Sequence, residues 1–426
     1  MMTNKRLNRL FRRMMLSFIL LFFVSGGRAL LAKESEAVED LPALKHAYAD
    51  YFHIGAAVAP YQLIGPHADL LKKHYNMIVA ENIMKPEALQ PVEGQFHFEE
   101  ADKMIEFAKE HDMEVRFHTL VWHNQTPAWF FQDKNGEPMV VDGEIADPDN
   151  YEANRTLLLD RMETHIREVV RRYAHDIESW DVVNEAIEGN GYRQSDYYIM
   201  TGSDFIHEAF RITADELEKQ GATAKLYYND YETQNPRKRD LIYEMVKEMM
   251  EKDIPIDGIG HQAHMTLIHP PVELLVESIE KMASLGLDNQ ITELDMSIYT
   301  FDGQQSYGSY ENIPEDVLET QAERYEEVFQ ALRDLSDSVS SVVFWGISDD
   351  HTWLHDFPTP GRVNAPFVFD HQLKAKSGYY AITEHYDEKS LPKTATNQSR
   401  NLWLGSGLLL VGAGYLIFQR NRRKQT

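Results

Sequence analysis

The chain has 426 residues, 43% hydrophobic and 11% aromatic, enough for one large α/β barrel of about 250 to over 400 residues or for two to three ordinary domains with a real core. It has no cysteine, which excludes disulfides, thiolate metal sites and cysteine nucleophiles. The net charge is −26, and because residues 1–32 and 395–426 bring six and five basic side chains and no acidic ones, the piece between them carries −37, a surface that repels nucleic acid phosphates and anionic lipid and suits a neutral substrate.

The N-terminus reads as a secretion signal. Lys5, Arg6, Arg9, Arg12 and Arg13 precede an apolar run of 11 residues, Met14 to Val24, too short to span a bilayer comfortably. Small and apolar residues follow, with cleavage expected at Ala32, so residues 1–32 form the signal peptide; an uncut signal anchor is the alternative. Residues 33–390 are then expected to be the working domain.

Strand-like and helix-like stretches alternate from residue 52 to about 386. The predicted strands are Phe52–Val58, Met77–Glu81, Glu114–His118, Ile177–Asn184, Lys225–Asn229, Gly258–Gln262, Gln290–Glu293 and Ser341–Trp345. Helical spacing runs through Leu157, Leu158, Met162, Ile166, Val169, Val170 and Tyr173, and through Val317, Tyr325, Val328, Phe329, Leu332 and Leu335, with Gln321 as one polar interruption. Eight β-then-α units argue for a closed parallel (β/α)8 barrel in a single domain rather than an open sheet.

Polar residues gather where such strands end: Glu81, Asn82 and Lys85; His118, Trp122 and His123; Asn184 and Glu185; Tyr228 to Tyr231; Gln262 and His264; Glu293 and Asp295; and Trp345, with Trp353 beyond it. In a barrel these ends share one face, the active-site face. The strand Trp180 to Glu185 is the clearest case, because a core strand has no structural use for an amide and a carboxylate at its end. Gln290 to Asp295 repeats the pattern. Two carboxylates facing one bond suit hydrolysis of a sugar acetal, with one protonated acid at the leaving oxygen and a second carboxylate as nucleophile or as base for water. Pairing of each Glu with a loop Lys or Arg is the structural alternative. Trp122, Trp345, Trp353 and Tyr231 suit stacking on sugar rings. His118, His123, His261 and His264 fit no zinc spacing, and imidazoles beside carboxylates are explained as hydrogen-bond partners, so no metal is expected.

At these residues the chain resembles glycoside hydrolase family 10, the endo-1,4-β-xylanases with a (β/α)8 barrel. The motifs are Glu81 to Glu87, His118 to His123, Trp180 to Glu185, Asn229 to Tyr231, Gln262 to His264, Ile291 to Asp295, Trp345-Gly346 and the run from Gly361-Arg362 to Phe369-Asp370, within residues 43 to 386. The resemblance implies retaining cleavage of xylan or xylo-oligosaccharides, without metal or organic cofactor; a monomer is expected. It implies Glu185 as acid/base, Glu293 as nucleophile and Asn184 on the sugar 2-hydroxyl. His264 would bind Glu293, with Asp295 and His123 in support. Lys85, His118 and Gln262 would hold the cleaved sugar, and Glu81 and Asn82 the next one on the non-reducing side. Trp345 and Trp353 would wall the glycone sites, Trp122 would lie beneath the cleavage point, and Tyr231 would stack on the aglycone. Retention implies carboxyl groups about 5 to 5.5 Å apart. The rival readings are another β-1,4-glycanase of the same clan, acting on cellulose or mixed-linkage glucan, and a non-catalytic polysaccharide-binding protein.

The C-terminus resembles a Gram-positive cell-wall sorting signal over residues 391–426. Leu391, Pro392 and Thr394 stand in the motif, with Ala395 where Gly is usual. Leu402 to Phe418 is an apolar run of 17 residues, and Arg420, Arg422, Arg423 and Lys424 close it. The resemblance implies a sortase that cuts after Thr394 and joins the protein to peptidoglycan outside the cell; a plain membrane anchor is the alternative.

Overall fold

The computed structural model describes residues 41–386 apart from 302 and 304; the signal segment and the sorting residues Leu391, Pro392 and Thr394 lie outside the described residues. Eight parallel strands close into a barrel: β1 (His53–Val58), β2 (Met77–Ala80), β3 (Glu114–Trp122), β4 (Ser179–Asn184), β5 (Lys225–Asp230), β6 (Gly258–His261), β7 (Asp288–Ser297) and β8 (Val339–Phe344). Each pairs with the next, and β8 returns to β1 with His53 opposite Ser341. Helices follow the strands in turn: α1 (Gly65–His74), α2 (Glu99–Glu110), α3 (Tyr151–Tyr173), α4 (Asp204–Gln220), α5 (Pro236–Glu251), α6 (Val272–Ala283), α7 (Glu315–Asp334) and α8 (Ser377–Thr383).

The helices bury one face against the sheet. In α3 that face is Leu158, Met162, Ile166, Val169, Val170 and Tyr173, each side chain contributing about 1.5–3 kcal/mol by leaving water. Leu157 is only half-buried. Gln321, the polar interruption in α7, is fully buried because it has a task there. Its Nε2 donates to the Met296 carbonyl (2.8 Å) and the Ala365 carbonyl (2.7 Å), so the helix clamps the β7 end to a loop of the upper face.

The barrel floor is charged. Arg116 on β3 is fully buried, donates to both oxygens of Asp181 on β4 and to Gln290 on β7, and lies 4.7 Å over the Tyr227 ring. A guanidinium at this depth persists only when its donors are paired. Room for it comes from Gly260 on β6, where an added Cβ would sit 2.2 Å from Asn229 Oδ1 and 3.0 Å from an Arg116 nitrogen.

Two strands run further than their sequence pattern suggests. β3 continues to Trp122 and β7 to Ser297, each past a register shift: between His118 and Val121 against β4, and between Ile291 and Leu294 against β8. Such bulges turn side chains without ending the pairing, and both fall at residues expected in the site. β2 and β6 stop one residue short of Glu81 and Gln262, but the main chain still pairs there, as Glu81 N–H to the Val58 carbonyl (3.1 Å) and Gln262 N–H to the Asp230 carbonyl (3.1 Å).

Candidate active site

The strand ends present their polar side chains on one face, on a shared backbone ladder. Glu185 N–H donates to the Asn229 carbonyl (2.9 Å), Glu293 N–H to the Gln262 carbonyl (3.1 Å) and Trp345 N–H to the Leu294 carbonyl (2.9 Å). Glu185, just past β4, has φ 57°, left-handed backbone that costs a non-glycine residue about 1–2 kcal/mol. The ladder bond and an Arg193 Nε donor to the Glu185 carbonyl (3.0 Å) hold that conformation. The carboxylate itself faces neutral donors: Trp122 Nε1 to Oε2 (2.9 Å) and Gln262 Nε2 to Oε1 (2.9 Å).

Glu293 lies in the opposite kind of surroundings. It is 5% exposed, and Asn229 Nδ2 donates to its Oε1 at 2.8 Å. His264 lies between two acids, with Nε2 3.3 Å from Glu293 Oε2 and Nδ1 3.0 Å from Asp295 Oδ2. Burial opposes a charge on this imidazole, yet Asp295 and Glu293 together raise its pKa to about 10. Burial likewise pushes the Glu293 carboxyl up. The hydrogen bond from His264, the charges of His118 and His264, and the Asn229 donor outweigh it and hold Glu293 below the ordinary carboxylate range. Asp295 Oδ2 also accepts from Trp353 Nε1 at 2.7 Å, which fixes that indole beside the acid–base pair.

The remaining expected residues form two flanks. On one, Lys85 is buried over the Trp122 ring (4.9 Å to its centroid) and donates to Asn82 Oδ1 (3.0 Å) and Gln125 Oε1 (2.8 Å). Burial lowers its pKa, while Glu293, Glu81 and Glu185 oppose that shift. Glu81 Oε2 is 2.6 Å from His351 Nε2. His118, held by Asp181 Oδ2 at 3.1 Å, stands nearly perpendicular to Trp345 (5.3 Å), and Trp353 packs beside Trp345. On the other flank, Tyr231 is half-buried. Arg193 Nη2 donates to its hydroxyl (2.8 Å), and Lys238 Nζ lies 3.4 Å over its ring. Asn184 sits 2.9 Å from Asn229 Nδ2, next to both acids.

The four histidines separate. His118 and His264 join the carboxylates. His261 is fully buried between Thr233 Oγ1 (2.7 Å) and Asn289 Oδ1 (2.9 Å), so its partners are neutral. His123 stands against the Trp122 ring, and burial, with Arg193 adding to it, lowers its pKa to about 4. Gln125, His351 and Arg193 were not expected in the site. His351 is 270 positions from its partner Glu81, and no local pattern marks it. Asn229 stood within a recognised motif, yet its bond to Glu293 depends on the closed sheet.

Residues 43–385 match the sequence profile of glycosyl hydrolase family 10, and residues 383–426 match the LPXTG cell wall anchor motif of secreted, wall-attached Gram-positive proteins. A thermostable celloxylanase of Thermoclostridium stercorarium is 52% identical over 85% of this chain and 92% of its own length. Endo-1,4-beta-xylanase A of Halalkalibacterium halodurans is 50% identical over 82% and 90%. The crystal structure of xylanase B from Clostridium stercorarium F9 superposes with a TM-score of 0.77 at 53% identity, covering 81% of this chain and 100% of that one. An intracellular xylanase from Thermoanaerobacterium saccharolyticum, solved as a mutant with xylotriose, gives a TM-score of 0.70 at 40% identity, covering 80% and 98%. By its profile match and these identities, the chain belongs to glycosyl hydrolase family 10.

Proposed function

We propose that this family 10 enzyme is a wall-attached endo-1,4-β-xylanase that cuts internal xylosidic bonds with retention. The observation that carries the assignment of roles is the contrast between the two carboxylates. Glu293 is held ionised by His264, His118 and Asn229, as a nucleophile requires. Glu185 is oriented by two neutral donors, Trp122 and Gln262, as a group that hands a proton to the leaving oxygen requires.

In the first step Glu185 gives its proton to the leaving oxygen while Glu293 attacks the anomeric carbon and forms a glycosyl-enzyme. In the second, Glu185, now a carboxylate with both oxygens accepting, takes a proton from water as that water displaces Glu293. Asn184 holds the 2-hydroxyl of the reacting sugar, where hydrogen bonds strengthen in the transition state. Lys85, His118 and Gln262 hold the same sugar, Glu81 and Asn82 the next one outward, and Trp345 and Trp353 wall these positions. Tyr231, steadied by Arg193 and Lys238, stacks on the aglycone. The enzyme is proposed to act as a monomer. Residues 1–32 are removed as a signal, the enzyme spans 33–390, and sortase cuts after Thr394 in the 391–426 segment.

Reducing-sugar release from xylan beside carboxymethyl cellulose tests the substrate, and activity confined to the cellulose arm would reject it. A relative named for celloxylanase activity makes measurable glucan cleavage a second outcome worth the assay. Proton NMR of the first product tests the stereochemistry: β-anomer is expected, and α-anomer formed first would reject double displacement.

A further inference from the structure

The chain leaves the barrel at a fixed point. After β8 it returns through α8, and the residues that end this return are tied to those that precede β1. Tyr48 Oη donates to the Ile382 carbonyl (2.5 Å), and Tyr379 Oη donates to the Pro42 carbonyl. His385 Nε2 donates to the Ala47 carbonyl (3.2 Å), and its ring lies 5.0 Å from that of Tyr48 and 6.0 Å from that of Tyr51. Tyr51 and Phe52 run straight into His53, the first residue of β1. His385 and Tyr386 therefore stand at the strand starts, the lower face. Lys225 and Asp288, which open β5 and β7, mark the same face with an ion pair of 2.9 Å. Glu185, Glu293 and their neighbours stand at the opposite ends of the strands.

Residues 387–394, a link of eight positions, join Tyr386 to Thr394. A flexible run of that length spans about 16 Å on a root-mean-square basis and about 29 Å at full stretch. The helices α3 and α7 run from the upper face to the lower one, and their 23 and 20 residues make them about 34 and 30 Å long. The link is shorter than the barrel is tall. We infer that attachment through Thr394 turns the lower face of the barrel toward the peptidoglycan and the cleft away from it, so that this enzyme takes polymer presented from outside the wall. To aim the cleft inward, the link would have to climb the whole side of the barrel, and even at full stretch it falls short. The inference rests on the sortase cut given under the proposed function.

The chain has no cysteine, so one introduced thiol reports on one place. Asp50→Cys puts it on the lower face beside Tyr51, and Gln305→Cys puts it on the loop after β7; both positions are exposed. Each full chain is displayed on Gram-positive cells that carry sortase and is treated with a bulky polyethylene glycol maleimide. On intact cells Gln305→Cys should label several-fold faster than Asp50→Cys. After muramidase frees the enzyme the two rates should agree, and retained xylanase activity shows that both variants fold. Equal labelling of the two thiols on cells, or faster labelling at Asp50→Cys, would overturn the inference. Turnover of soluble polymeric xylan should be unchanged by release, and activity that emerges only on release would overturn it too. If detergent alone extracts the enzyme, the sortase reading is wrong and the orientation falls with it, a failure distinct from equal labelling of an enzyme that only muramidase frees.

Discussion

The ends of β4 and β7 are built from the same elements and behave differently. Each strand delivers a glutamate to the upper face, and each glutamate N–H is bonded to a neighbouring strand end. At β7 the side chain is enclosed among an imidazolium, a second histidine and an amide, which favours the charged form. At β4 the side chain is more open and meets an indole and an amide, which orient it without adding charge. In the proposed mechanism, two identical residue types divide the labour of one reaction through these different neighbours.

The bluntest way to test that contrast is removal. Glu293→Ala should lose about 10⁴- to 10⁶-fold on every glycoside, as loss of the proposed nucleophile requires. Glu185→Ala should lose about 10²- to 10⁴-fold on xylan. On an aryl xylobioside with a good leaving group its glycosylation step, read as the pre-steady-state burst, should slow far less. Equal losses on both substrates would remove the distinction between the two strand ends.

The environment can be altered instead of the acid. His264→Gln removes the cation beside Glu293, with an expected loss of about 10²-fold, the size of one preorganised charged donor. Without it the Glu293 pKa rises, so the acid limb of the kcat/KM profile should move to higher pH; an unmoved limb would separate His264 from the nucleophile. Stability follows with a definite sign. The folded pKa of His264, about 10, exceeds its unfolded value of about 6.5, so its contribution is full below that value and is lost as pH rises through 10. Melting temperatures of the native and His264→Gln proteins should therefore converge in alkaline buffer. The smallest expected effect is that of Trp353→Phe, which deletes one hydrogen bond to Asp295 worth about 1 kcal/mol and should cost only a few-fold in kcat/KM.

The eight strands and their order were legible because valine- and isoleucine-rich runs alternate with amphipathic helices, and because polar residues interrupt those runs at one end only. The strand ends were less so: β3 and β7 continue past bulges, and the ladder that keeps them paired belongs to the neighbouring strands. Of the site, the residues lying in contiguous motifs could be read. Partnerships between distant loops could not. Gln125 on Lys85, His351 on Glu81 and Arg193 on Tyr231 exist only once the barrel closes. Gln321 stands between these cases: it spoiled a helical pattern, and only its two carbonyl partners explain why a glutamine is buried there.

Asn229 also sets limits on redesign. Its amide binds Glu293, lies against Asn184 and accepts from Thr292 Oγ1 at 2.7 Å, so a single side chain on β5 pins the ends of β4 and β7. Asn184 and Glu293 are thereby tied through the sheet rather than through its loops. A change at Asn229 would therefore loosen both strands at once, where a change at either glutamate alters one.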